Sequence, residues 1–214
     1  MPQPILAREG WLHIALSLLA AIIVTIWAGW LWTLPLWFIV LFVVQFFRDP
    51  KRESPEVPGQ VLSPADGRIV FIGPEADPYL NRSALKISVF MNVFSVHSNR
   101  SPATGVVRKV WYIPGRFFNA ELDKASEQNE RNAVWLRESH DNQDIVFVQV
   151  AGLIARRILC YVKEGDHLDR GQRYGFIRFG SRVDLYLPAA YAAKVGLGDK
   201  VTAGLDILAG NSED

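Results

Sequence analysis

A glycine–serine step separates two strand-like runs near the C-terminal end of the chain. Residues 176–179 and the alternating run 183–187 both favour β structure, and Gly180-Ser181 lies between them. One interpretation is a glycine bend or bulge inside a sheet. The other is a nucleophilic Ser181 that attacks the carbonyl of Gly180, because glycine leaves that carbonyl open and tolerates a strained backbone.

A serine nucleophile needs a base, and His97 is the best candidate. It ends an apolar run in "MNVFSVHSNRSP", at the end of a predicted strand. Asp66 in "SPADG" could orient the imidazole, although Asp-Gly is also a common turn pair. Asp66, His97 and Ser181 together have the residue types of an activated serine. The other histidines lie in the apolar N-terminal segment or in turn sequences: His13, His140 and His167.

The N-terminal region predicts a membrane anchor. Residues 10–47 are 38 positions without Asp, Glu, Lys or Arg, well above the roughly 20 that cross a bilayer as a helix. Gly29 and Pro35, among tryptophans, indicate an interfacial break, so we predict a transmembrane helical hairpin within residues 1–47. Because the second arm is short, one span plus an interfacial helix stays an alternative. A cleaved signal peptide is disfavoured by the length of the apolar run.

The flanking charges predict the orientation of this anchor. A hairpin puts Arg8 on the same side as Arg48, Lys51 and Arg52, and the positive-inside tendency assigns that side to the cytoplasm. We therefore expect an inner-membrane protein with its catalytic domain in the cytoplasm. Residues 48–59 are charged and proline-rich, which is typical of a linker, and residues 60–214 form the remaining domain.

The region after the linker predicts a mainly β domain. Short β-type runs alternate with glycine and proline, which favours a β-sandwich or barrel. A faint repeat places Gly-Asp and, five residues later, Gly at 165, 166 and 171 and again at 198, 199 and 204. These turns resemble the hammerhead turns of lipoyl-carrier-like barrels, and we interpret them as architecture.

Composition excludes several classes. A net charge of +1 gives no electrostatic case for nucleic acid. The single cysteine, Cys160, excludes an intramolecular disulfide and a cysteine-rich metal site. Its strand-like surroundings indicate a small buried hydrophobe, and we predict no metal.

Six motifs in order carry a family resemblance: "FFRDPKR", "SPADG", "FMNVFSVHSNRSP", "WYIPGRFFNA", "NERN" and "RFGSRVDLYLP". Through them the chain resembles the phosphatidylserine decarboxylase family, in its short membrane-anchored bacterial form. The sequence departs from the better-known members at two places. Arg182 follows the Gly-Ser step where they carry threonine, and Phe94 replaces a second histidine.

The resemblance implies self-cleavage between Gly180 and Ser181, which converts residue 181 to a covalent pyruvoyl cofactor. The two chains, 1–180 and 181–214, would stay associated. This group would condense with the amine of phosphatidylserine in the membrane and accept the electrons left by carbon dioxide, giving phosphatidylethanolamine. His97 would be both the base in cleavage and the proton donor in turnover. A homo-oligomer is compatible with the sequence.

Three other functions were weighed. A lipoyl-like carrier would use Lys124 in "ELDKAS", and a non-processing scaffold finds support only in Arg182. A serine hydrolase is disfavoured because no Gly-x-Ser-x-Gly elbow occurs. Residues for the substrate phosphate are not distinguished among five arginines: Arg100, Arg108, Arg116, Arg131 and Arg182.

Overall fold

The computed structural model describes residues 5–120, 128–152, 157–178 and 180–211. The chain divides into two compact units, Met1–Lys51 and Arg52–Asp214. The first unit is helical and the second is built from β-strands, as the sequence predicts.

The first unit is a helical hairpin. Helix α1 spans Trp11–Ala28 and helix α2 spans Trp30–Phe46, separated by Gly29 at a φ of +81°. The Thr25 and Thr33 hydroxyls lie 3.1 Å apart between the two helices. The break at Gly29 is thus confirmed.

The two ends of the hairpin lie together. The Ala7 amide donates a hydrogen bond of 2.7 Å to the Phe47 carbonyl, and the Asp49 amide donates one of 2.7 Å to Ile5. By length and composition, the helical segment Arg8–Ala28, which includes a short 3-10 turn, is long and apolar enough to cross a membrane. The second helix, at 17 residues, is shorter.

Fourteen strands occur among the described residues of the second unit, in three antiparallel sheets. The largest sheet has eight strands in the order β13-β2-β3-β11-β7-β6-β5-β9, and the small sheets have the orders β1-β14-β12 and β4-β10-β8. The strands are β1 Gln60–Leu62, β2 Gly67–Asp77, β3 Arg82–Met91, β4 Ser98–Arg100, β5 Gly105–Ile113, β6 Arg131–Glu138, β7 Asp144–Val150, β8 Ile158–Cys160, β9 His167–Leu168, β10 Arg173–Ile177, β11 Ser181–Pro188, β12 Tyr191–Ala193, β13 Lys200–Val201 and β14 Ile207–Asn211.

Strand β11 lies in the middle of the large sheet, between β3 and β7. Val183 and Leu185 belong to the main apolar core, whereas Tyr186 belongs to a second apolar cluster. Because side chains alternate between the faces of a strand, β11 is buried on both sides. Its first residue, Ser181, faces the main core together with Val183.

The repeat seen in the sequence is also a repeat of backbone conformation. Gly165 and Gly198 have φ values of +89° and +91°, and Gly171 and Gly204 both have +72°. Glycine is favoured at all four positions because they are left-handed. The backbone thus agrees with the architectural interpretation, and the likeness to carrier barrels stays a prediction.

Residues 52–59 pack against the β unit, although their composition is typical of a linker. Arg52 forms an ion pair with Asp66, and Arg170 donates a hydrogen bond of 2.6 Å to the Val57 carbonyl. The boundary between the two compact units therefore falls between Lys51 and Arg52.

Candidate active site

Ser181 is completely buried at the start of β11, where it pairs with Met91 of β3. Its hydroxyl makes no hydrogen bond to any residue that the structure describes. Gly180, just before it, has a φ of +56° and so lies in the left-handed region. The Gly-Ser step is therefore a left-handed entry, suited to glycine, into a central strand whose first residue carries an uncommitted hydroxyl.

The carbonyl of Gly180 lies directly against Gly152. A Cβ placed on Gly152 would overlap the Gly180 carbonyl oxygen and lie 2.9 Å from the carbonyl carbon. A side chain is excluded at residue 152 for this reason, whereas a Cβ on Gly180 would meet no atom within 4 Å. The position of the Gly180 carbonyl therefore depends on a close approach between two backbones.

Asn129 holds the segment that precedes Gly152. Its Nδ2 donates hydrogen bonds of 2.8 Å and 2.7 Å to the carbonyls of Phe118 and Ala151, and its Oδ1 accepts one of 2.9 Å from the Phe118 amide. The Asn129 side chain is fully buried, so these bonds are shielded from water. Neither Gly152 nor Asn129 was a predicted site residue, and the "NERN" motif is the sequence signal that contains Asn129.

His97 is buried beside the strand that leads into the Gly-Ser step. Its carbonyl accepts a hydrogen bond of 3.2 Å from the Ile177 amide, and its ring centroid lies 6.3 Å from that of Phe176. Nδ1 lies 2.9 Å from the Ser95 carbonyl oxygen. Because a carbonyl can only accept, this bond places the proton on Nδ1 and leaves Nε2 as the basic nitrogen.

Asp66 is held by groups other than an imidazole. Arg52 Nη1 and Nη2 lie 2.5 Å and 2.8 Å from the two carboxylate oxygens, and the Ala203 amide donates a hydrogen bond of 2.8 Å. The orienting contact on His97 comes from Ser95. The proposed action of Asp66 on His97 thus stays a prediction, and Arg52 was not predicted as its partner.

A row of buried amides lines the sheet on the side that Ser181 faces. Gln149, which pairs with Val183 of β11, donates a hydrogen bond of 2.8 Å to Asn99 and accepts one of 3.2 Å from Asn132. Asn99 Nδ2 in turn lies 3.8 Å from Met91 Sδ. Polar groups are thus placed in an otherwise apolar interior beside the residue that pairs with Ser181.

Two of the five arginines suggested for phosphate binding are buried in other interactions. Arg182 Nε lies 2.7 Å from Asp184 Oδ1, and both side chains are almost completely buried. Arg100 is also buried and donates a hydrogen bond of 3.1 Å to the Gly171 carbonyl.

Burial raises the pKa of the Cys160 thiol, in agreement with an unreactive cysteine.

The fold and the site define a class of protein: a mainly β domain that follows an apolar helical hairpin. It carries a Gly-Ser step with a buried serine, and a buried histidine is bonded through its carbonyl to the strand before that step. The model of the family described as phosphatidylserine decarboxylase matches residues 39–209. The chain belongs to the phosphatidylserine decarboxylase family.

Similar proteins cover almost the whole chain. Proteins named phosphatidylserine decarboxylase proenzyme from Aromatoleum aromaticum and Nitrosomonas eutropha are 63% and 60% identical over 208 residues. In both comparisons, the match covers 97% of this chain and 96% of the relative. A protein of the same name from Cupriavidus taiwanensis is 60% identical over the same shares.

Proposed function

We propose that this protein decarboxylates phosphatidylserine to phosphatidylethanolamine after cutting its own chain between Gly180 and Ser181. The similarity to proteins named phosphatidylserine decarboxylase proenzyme covers almost the whole chain. It supports both this substrate and the need for processing. The left-handed Gly180 before the buried, uncommitted Ser181 hydroxyl supports this position as the cleavage site.

Ser181 Oγ is the nucleophile of the maturation step. His97 Nε2 takes its proton, and Oγ attacks the carbonyl carbon of Gly180, so the acyl group moves from the amide nitrogen to the oxygen. Elimination of the resulting ester leaves residue 180 as a carboxylate and residue 181 as a dehydroalanine. This residue tautomerises, adds water and loses ammonia, giving a pyruvoyl group at residue 181.

Gly152 and Asn129 position the carbonyl that is attacked. Gly152 allows the Gly180 carbonyl to lie against the backbone, and Asn129 holds Ala151 through a buried hydrogen bond of 2.7 Å. A displacement of about 1 Å in a reacting pair can cost on the order of 10²-fold in rate. These two residues are thus positioning residues for a reaction within the backbone.

We propose Asp66 as a further positioning residue for maturation. Its carboxylate can orient His97 directly, although Arg52 and the Ala203 amide are the groups that bind it in the structure. It can also act through these partners by fixing the start of β2, which pairs with β3 next to Ser181. Direct action on His97 and action through Arg52 predict different maturation rates when Arg52 is replaced.

The pyruvoyl group, once formed, supplies a carbonyl that accepts the electrons released when carbon dioxide leaves. The site fits such a group because residue 181 is completely buried and the amides of Asn99 and Gln149 lie on the side it faces. His97, protonated on Nε2, returns a proton to the carbon that has lost its carboxylate.

The two chains formed by cleavage would stay together. Strand β11 begins the small chain and lies between β3 and β7, and β14 of the small chain lies between β1 and β12. Of the two neighbours of β14, strand β12 belongs to the small chain itself and strand β1 belongs to the large chain. The small chain is thus held by backbone hydrogen bonds in two sheets.

We propose that the apolar hairpin anchors the enzyme in the inner membrane, with the β unit in the cytoplasm. The length and composition of Arg8–Ala28 support membrane insertion, and the charges of Arg48 and Lys51 support the orientation. A lipid substrate also requires access to a membrane surface.

Mass spectrometry of the purified full-length protein tests the proposal. We expect two chains, the smaller comprising residues 181–214, and release of carbon dioxide from phosphatidylserine in mixed micelles. Ser181→Ala should give one uncut, inactive chain. A single unmodified wild-type chain would support the scaffold, and a lipoylated chain would support the carrier, whose Lys124 lies outside the described residues.

A further inference from the structure

A pocket lies beside the end of β3, close in the sheet to the cleavage site. Its volume is about 440 Å³, and Arg68, Phe90 and Lys200 are among the residues that line it. Phe90 pairs with Arg182, the residue after Ser181. Asp66 and Ser95 also line this pocket, whereas the maturation step assigns no part to Arg68, Phe90 or Lys200.

The charges around the pocket favour an anion. Arg68 Nη1 donates one hydrogen bond of 2.9 Å to the Gly198 carbonyl, and both Arg68 and Lys200 are exposed. Lys200 has no side-chain hydrogen bond or ion pair with the residues that the structure describes. The one carboxylate among the lining residues, Asp66, is paired with Arg52. The two exposed cations are therefore not offset by an unpaired carboxylate in the lining.

The sheet places these cations at a suitable distance from residue 181. Lys200 pairs with Arg68, Arg68 pairs with Phe90, and Phe90 pairs with Arg182. Neighbouring strands are about 4.8 Å apart, so Arg68 lies roughly 10 Å from β11. In phosphatidylserine, only the serine carbons and one ester oxygen separate the amine from the phosphorus. Arg68 and Ser181 lie on opposite faces of the sheet, but both are at the end where β2 and β11 begin and β3 stops. A headgroup whose amine reaches residue 181 would pass this end of the sheet, where its phosphate would meet a long side chain from the other face.

Apolar side chains at the same place favour a lipid over a free anion. Leu197 and Phe94 are 72% and 65% exposed, more than any other large apolar residue of the β unit within the described ranges. Phe94 lines the pocket, and Leu197 precedes Gly198, whose carbonyl binds Arg68. Exposed apolar groups beside cations are typical of surfaces that meet anionic membranes.

We propose that this pocket binds the phosphodiester of the phosphatidylserine headgroup through Arg68 and Lys200, while Phe94 and Leu197 enter the membrane surface. This proposal rests on the proposed function and adds a substrate-binding site to it. Phe94 would then serve in membrane contact at a position where the better-known relatives carry a histidine.

The internal repeat supplies a matched control. Val106 and His167 of β5 and β9 pair as Arg68 and Lys200 do, so the first repeat has the same backbone without the two cations. Arg108 and Lys163 near that turn are exposed and lie outside the pocket lining. Replacing both with glutamine removes the same charge as Arg68→Gln with Lys200→Gln.

The experiment uses full-length protein in detergent and titrates it with glycerophosphoserine, inorganic phosphate and dihexanoyl phosphatidylserine. Ser181→Ala protein serves for binding, so the result does not depend on cleavage or turnover. We expect Arg68→Gln/Lys200→Gln to weaken binding of glycerophosphoserine on the order of ten- to hundredfold, because the loss of a hydrogen bond to a charged group changes a binding constant by about this factor. Arg108→Gln/Lys163→Gln should change it less than twofold.

Matured enzyme then separates headgroup binding from membrane contact. Leu197→Ser should lower kcat/KM for phosphatidylserine in vesicles and leave kcat/KM for the dihexanoyl lipid unchanged, at equal pyruvoyl content. Equal loss with both cation-to-glutamine pairs, or no loss with either, would overturn the proposal. Inorganic phosphate binding as tightly as glycerophosphoserine would also overturn it, because the pocket would then be a free-phosphate site. Absence of cleavage in the wild type would instead refute the proposed function alone.

Discussion

The Gly180–Ser181 step and the pocket beside Arg68 are close in the sheet but differ in construction. The first is completely buried at Ser181 and is shaped by backbone, with Gly152 against the Gly180 carbonyl. The second is lined by exposed, charged side chains and apolar groups. The difference corresponds to two tasks: a reaction that occurs once in each molecule needs a fixed geometry, whereas repeated turnover needs access for a substrate.

Removing the base of the buried site gives the largest expected effect. His97→Ala should mature on the order of 10²- to 10⁴-fold more slowly, because general acid–base groups contribute that much. Any matured fraction should also decarboxylate far below wild type per pyruvoyl group. A carbonyl reagent measures the pyruvoyl content, and His140→Ala, at an exposed histidine in the turn after β6, is the control. Maturation and turnover like wild type would remove His97 from the site.

Obstructing the backbone contact tests whether geometry controls cleavage. Gly152→Ala should slow cleavage about 10²-fold, because the added Cβ would displace the Gly180 carbonyl. Gel electrophoresis over time measures the uncut fraction, and circular dichroism checks that the chain is folded. Gly73→Ala, where a Cβ would come no closer than 3.4 Å to Phe71, should cleave normally. Normal cleavage of a folded Gly152→Ala protein would contradict the positioning role.

Asp66 lies at the edge of both regions, since it lines the pocket and is predicted to act in maturation. Asp66→Asn should slow maturation about tenfold, the usual scale for a lost charged hydrogen bond, and leave turnover per pyruvoyl group near normal. If Asp66 acts through its partner, Arg52→Gln should slow maturation equally. Faster maturation of Arg52→Gln would instead indicate that a released carboxylate orients His97 directly.

The smallest effect is expected from exchanging one residue between the repeats. Glu164 precedes the Gly-Asp pair of the first turn, where Leu197 precedes that of the second. Leu197→Glu should lower activity on phosphatidylserine vesicles by about threefold to tenfold through repulsion from an anionic surface, since a juxtamembrane charge is worth about 1 kcal/mol. Cleavage should be unchanged, and Glu164→Leu is the reciprocal control. Slower cleavage in Leu197→Glu would show that the two regions are not separate.

Patterns with a short period were readable from the sequence. The uncharged run with Gly29 in its middle predicted two helices, and alternation in residues 183–187 predicted a strand, because these features depend on neighbouring residues. Positive φ angles at the repeat glycines, such as Gly165 and Gly198, were also implied by residue type.

Contacts between segments that are distant in the sequence could not be predicted from local patterns. Gly152 approaches Gly180 across the fold, and nothing near Gly152 in the sequence marks it. Asp66 has Arg52 as its partner because the proline-rich segment packs on the β unit, against the expectation of a linker. Arg182 was one of five candidates for the substrate phosphate, whereas the structure pairs it with Asp184. The spacing of two residues was a signal for this ion pair, because alternate residues share one face of a strand.

The central place of β11 also governs how the protein can be made. Before cleavage, folding of residues 52–214 is a unimolecular process, and β11 finds its neighbours at no cost in concentration. Cleavage after Gly180 would turn the inner strand of an eight-stranded sheet into the start of a separate 181–214 polypeptide. Refolding of the mature protein after denaturation would then be bimolecular and would fail at high dilution. The uncut chain would therefore serve as its own assembly template, and the stability of the cleaved protein would depend on its concentration.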